Sequence, residues 1–68
     1  MGDAIYKTVD IVGSSSQSIE DAIERAVSKA SGTINNINWF EVSEIRGHID
    51  NNKVAHYQVA MKLGFRLE

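Results

Sequence analysis

The chain has 68 residues and no Cys, with 43% hydrophobic and 24% charged residues, the balance of an ordinary globular protein. So short a chain is one domain, 1–68, with a marginal core of its own; disulfides are excluded and two His are few for a dense metal site, so self-association is the expected support. A net charge of −2 with both signs interspersed argues against nucleic acid as the main partner, though not against a small phosphorylated ligand held by one or two Arg.

No apolar run is long enough to span a bilayer and no signal peptide opens the chain, so a cytoplasmic protein with no membrane partner is expected. Ala4 to Val12 reads as a strand, with Ile5, Val9 and Ile11 on one face and Tyr6, Thr8 and Asp10 on the other. Lys7 interrupts the apolar face, which suits an edge strand, and Gly13 with the serines after it ends the run. Ile19, Ala22, Ile23, Ala26, Val27 and Ala30 then form one continuous stripe at helical spacing. Ser18 is placed to cap that helix, with Asp21 completing a capping box and pairing with Arg25 one turn on. Gly32 is placed to stop it in the left-handed conformation.

A long strand follows, from Ile37 to Ile49, holding the only Trp. Asp50-Asn51-Asn52-Lys53 suits a two-residue hairpin, since Asn tolerates positive φ. Val54 to Leu67 is the last strand, with Tyr57, Val59, Met61, Leu63, Phe65 and Leu67 facing one way. Pairing Asp50 with Lys53 sets Val42 against Met61 and Phe40 against Leu63, on the face that meets the helix stripe. The other face then pairs Trp39 with Gly64, Glu41 with Lys62, Ser43 with Ala60 and Ile45 with Gln58. Beyond Ser43 the alternation would turn Glu44 and Arg46 inward, so a β-bulge or a sharp bend is expected there. The strand–helix–strand crossover and the hairpin give an α+β fold: a β-α-β-β chain, antiparallel sheet order 1-3-2, one helix on one face. Nothing in the chain is left to cover the other face. Burying a large apolar side chain is worth about 1.5–3 kcal/mol, so other copies are expected to cover part of it.

The candidate chemistry lies on that uncovered face. Gly64 opposite Trp39 leaves room above the indole, which suits a flat aromatic ligand; the alternative is that another subunit's side chain fills the gap. Gln58 offers a donor and an acceptor together, matching a pyrimidine-like edge, or is a solvated strand residue. Arg46 suits a phosphate or a ring edge, or pairs with Glu44 or Glu41. His48 is polar lining, a stacking ring, or an exposed strand residue. There is no Cys nucleophile, the serines have no His partner in view, and Glu41 and Glu44 do not share a strand face, so no catalytic residues are assigned. His48, Asp50 and His56 make only a weak metal signal, and none is assigned.

These residues resemble the dodecins, small flavin-binding proteins. The likeness is carried by Val12-Gly13-Ser14-Ser15, Asn38-Trp39-Phe40-Glu41-Val42, Ile45-Arg46-Gly47-His48, Ala55-His56-Tyr57-Gln58-Val59 and Gly64-Phe65-Arg66-Leu67. The resemblance implies a hollow spherical homododecamer in which pairs of flavins sit between tryptophans of neighbouring subunits. It implies that Trp39 stacks on the flavin, that Gln58 bonds its pyrimidine part, and that Arg46 and His48 line the site. FMN is the expected flavin, with riboflavin or FAD as alternatives. Some members bind coenzyme A, for which Lys7, Lys29 and Arg66 would be candidates. The implied role is storage and photoprotective sequestration, not turnover. A flavin-dependent oxidoreductase or a purely structural oligomer are the competing readings.

Overall fold

A computed structural model describes residues 3–67. Strand β1 runs Ile5–Ser15, helix α1 Ile19–Ala30, strand β2 Ile37–Asp50 and strand β3 Lys53–Leu67. The sheet is antiparallel in order β1-β3-β2, as the crossover and hairpin require. Strand β1 is an edge, in keeping with the lysine on its apolar side.

Two boundaries differ from the sequence reading. Strand β1 does not end at Gly13 but continues to Ser15, paired through to Tyr57. Gly13 serves contact: a Cβ there would strike the Ala22 carbonyl and stand 2.9 Å from Cβ of Ala26, so the missing side chain lets α1 lie on the strand. Gly32 is not left-handed, since no glycine among the described residues has positive φ. The helix end instead tightens into short-range bonds: Gly32 N donates to Lys29 O at 3.2 Å, and Thr33 N and Ile34 N donate to Ala30 O at 3.0 and 2.9 Å. The left-handed residue is Asn36, at φ 65°, just before β2.

The helix start is as expected at Ser18, whose Oγ accepts from Asp21 N at 2.9 Å. The other half of the capping box is relayed. Buried Ser15 Oγ accepts from Gln17 N and Ser18 N and donates to Asp21 Oδ2 at 2.5 Å. With its carboxylate taken there, Asp21 is not ion-paired with Arg25; Arg46–Glu44 and Lys62–Asp10 are ion pairs.

The core is Ala22, Val59, Met61 and Leu63, flanked by Val9, Ile11, Ile19, Ile23, Ala26 and Val27. Helix α1 packs on β1 and β3, so the middle strand carries the burial. Phe40 and Val42 oppose Leu63 and Met61 as expected, but the helix scarcely reaches β2 and they stay 48% and 36% exposed. The β2–β3 hairpin projects as an arm, and the described chain measures 57 × 20 × 13 Å.

Candidate functional site on the open sheet face

The face away from α1 is built by three bulges. Asp50 pairs with Lys53 across Asn51 and Asn52, at φ 56° and 65°, the two-residue turn expected from the Asn pair. Ala55 is then an extra residue on β3, because Ile49 opposes Val54 while His48 opposes His56. Ser43 is an extra residue on β2, between Val42–Met61 and Glu44–Ala60. The two insertions cancel, so Phe40 and Trp39 meet the partners that the turn alone would give them. Between the bulges the register is moved by one. A third irregularity leaves Asn38 unpaired between Ile37–Phe65 and Trp39–Gly64.

This corrects two expected pairs and explains the inward charges. Glu44, not Ser43, opposes Ala60, and Arg46, not Ile45, opposes Gln58. Ile45 instead opposes buried Val59, on the helix side of the sheet. Glu44, Arg46 and His48 thereby share the open face with Gln58 and His56. Ser43 ties the bulge down, its Oγ donating to Ala60 O at 3.1 Å.

At one end of this face, Trp39 lies over Gly64. A Cβ on residue 64 would fall among Cζ2, Cε2 and Cη2 of the indole, so the glycine's empty place is filled by the ring. The room is therefore beneath the indole, not above it as the sequence suggested. Tyr6, from the far edge strand, meets the indole edge-on with ring centroids 5.2 Å apart at 65°. Trp39 thus spans the middle strand, held by Gly64 and Tyr6, and remains 40% exposed.

At the other end stand Arg46, Gln58 and the two His. Arg46 Nε donates to Gln58 Oε1 at 2.9 Å, and its Nη1 pairs with Glu44 Oε1 at 2.8 Å. His48 and His56 face each other with centroids 5.4 Å apart at 18°. Gln58 is six positions along β3 from Gly64, roughly 20 Å at the strand rise, so one subunit does not bring Trp39 beside Gln58, Arg46 or His48. A ligand touching both groups needs a second copy.

Tyr6 and His56 had no assigned site role in the sequence. Strand alternation puts Tyr6 on the open face, but its meeting with Trp39 depends on the β1–β3 register, for which the sequence has no turn to count from. Lys7, Lys29 and Arg66 are not gathered into a basic pocket: Lys7 is on the helix side opposite Phe65, Lys29 in the last turn of α1, and Arg66 on the open face opposite Tyr6. No helix among the described residues is long and apolar enough to cross a membrane.

Fold and face together define a class: a small one-helix α+β protein whose exposed aromatic and hydrogen-bonding groups lie on a sheet face its own chain leaves open. Within that class the chain belongs to the dodecin family, whose model matches residues 5–68. Dodecin of Thermus thermophilus is 47% identical over 64 residues, 94% of this chain and 93% of that protein. The structure of dodecin from Streptomyces coelicolor matches at TM-score 0.93 and 44% identity, covering 100% of this chain and 97% of the other. Calcium dodecin from Mycobacterium tuberculosis, described as a calcium-chelating antigen with a novel calcium-binding site, matches at TM-score 0.81 and 29% identity, covering 94% and 91%.

Proposed function

We propose that this protein binds flavin, FMN above riboflavin or FAD, and holds it in pairs between Trp39 residues of neighbouring subunits in a cytoplasmic homododecamer. The carrying observation is the indole's setting. One side rests over Gly64, its edge is fixed by Tyr6, and two fifths of the residue is exposed on a face with no cover. A rigid, half-exposed indole is a stacking surface, and stacking is worth about 1–3 kcal/mol per aromatic face where bases are the ligand.

The rest of the face suits such a ligand. Gln58 keeps its amide N–H groups available while its oxygen accepts from Arg46, so the pair presents donors to a ring carbonyl edge. Arg46 and His48 would line the same site, supplied by a copy other than the one whose Trp39 stacks. Bound flavin contributes a light-absorbing, redox-active ring. Trp39 stacked on it excludes water and quenches its excited state by electron transfer, which protects rather than transforms. With both ring faces covered, no room remains for a hydride donor, so the role is storage and not catalysis.

The test is a flavin fluorescence titration of wild type and Trp39→Ala. Wild type is expected to quench the flavin, and the variant to lose affinity by at least about tenfold, the equivalent of one stacked face. Equal quenching by both proteins would remove the assignment. Oxidation of reduced nicotinamide by the loaded protein would instead support a reductase.

A further inference from the structure

We infer that, in the flavin-free protein, His48 and His56 form a cross-strand chelating pair for a borderline divalent ion such as Zn²⁺, Cu²⁺ or Ni²⁺; this rests on the pair's own geometry, although His48 is shared with the site proposed for flavin. The bulge at Ala55 is what sets the two imidazoles directly opposite one another on the open face. Their centroids are 5.4 Å apart. Two imidazoles on one tetrahedral Zn²⁺, each with a Zn–N bond of about 2.0–2.1 Å, have centroids about 5.2 Å apart. The spacing is already that of a shared ion. The near-parallel planes, at 18°, are not yet aimed at one point, and each ring must turn about χ2. That torsion is soft, and the ring centroid lies close to its axis, so turning leaves the spacing nearly unchanged.

The surroundings permit a cation. His48 is exposed and His56 half-buried, so water can fill the remaining coordination positions. Arg46, the one Arg or Lys of β2, is engaged by Glu44 and Gln58, and Arg25, which lines the same cavity as His56, shares that cavity with the Asp21 carboxylate. Among the described residues no cluster of three or more His, Cys, Asp and Glu could hold a metal, so the pair acts as a two-ligand site. Two nitrogens without a carboxylate select a borderline ion over Ca²⁺ or Mg²⁺, which want oxygen ligands.

The experiment uses flavin-free protein and Cu²⁺ followed by electron paramagnetic resonance, with Zn²⁺ and Ca²⁺ titrated by calorimetry. Expected are nitrogen couplings from two imidazoles, Zn²⁺ binding, and no heat from Ca²⁺. His48→Asn and His56→Asn are each expected to weaken Zn²⁺ binding by about tenfold or more, at least the cost of losing a ligand's outer-shell partner. Far-ultraviolet circular dichroism reports whether each variant keeps the sheet, and the wild-type spectrum decides the matter should a variant not fold. Couplings from fewer than two imidazoles, or Zn²⁺ affinity unchanged in both variants, would overturn the inference.

Discussion

A methyl group at residue 64 cannot coexist with the indole of Trp39, because both would occupy the same place. In Gly64→Ala the ring must swing off the sheet and lose the edge contact with Tyr6, at a cost of about 1–3 kcal/mol, the usual range for overpacking. Tryptophan emission should move to longer wavelength, and flavin quenching should fall although every ligand-facing side chain is intact. Unshifted emission would mean the glycine has no such role. The Trp39–Gly64 pairing is legible in the sequence because the hairpin counts the register. The use of the gap is not: a missing Cβ marks a space without saying which group fills it. Gln58 and Arg46 show the opposite case. Both residues can be picked by type, but their mutual hydrogen bond exists only because Ser43 shifts the strand, and no residue type announces which position of Val42-Ser43-Glu44 bulges.

At the scale of elements, the glycine and serine positions separate cleanly. Gly32 does not have positive φ, and a Cβ there would meet only Lys29 O, at 3.3 Å. Gly32→Ala gains about 0.4–1 kcal/mol through the unfolded chain, offset by a Cβ contact with Lys29 O tighter than is usual, so its net effect should be small. A left-handed residue at this position would make the same change destabilising. Ser15→Ala should destabilise by about 1–3 kcal/mol, since it strips a buried donor from Asp21 and an acceptor from Gln17 N and Ser18 N. Ser18→Ala should cost about 1 kcal/mol as an ordinary cap. Because both serines serve one helix end, the double variant should depart from additivity. Urea unfolding at one fixed protein concentration checks all four, as association is linked to stability. The helix itself is written plainly in its apolar stripe and its Ser cap. Its exit is not, because short-range carbonyl bonds at Ala30 and Lys29 satisfy the end without the left-handed glycine that a local rule expects.

At the scale of the molecule, one subunit is incomplete on both sides of its sheet. Helix α1 covers β1 and β3, which leaves Phe40, Val42, Ile45, Ile49 and Val54 exposed along the helix side of the hairpin arm. Tyr6, Val12 and Trp39 are exposed on the open side. Only the second surface is legible in the sequence, because the pairing of Phe40 and Val42 with Leu63 and Met61 points to cover by the helix. Each large side chain covered is worth about 1.5–3 kcal/mol, and the subunit's fully buried hydrophobics are only Ala22, Val59, Met61 and Leu63 among the described residues. Such a core is small for an independent fold, so association and folding should be coupled, with the arm laid against neighbouring copies. Val42→Lys and Ile45→Lys put a charge into that contact without touching α1 or the residues proposed to hold flavin. Both should lower the mass by light scattering from that of the proposed dodecamer to smaller species. They should also lower the melting temperature and make it depend on protein concentration, as it must when folding energy is borrowed from neighbours. A wild-type chain that sediments as a stable monomer would contradict this coupling, whatever ligand its Trp39 holds.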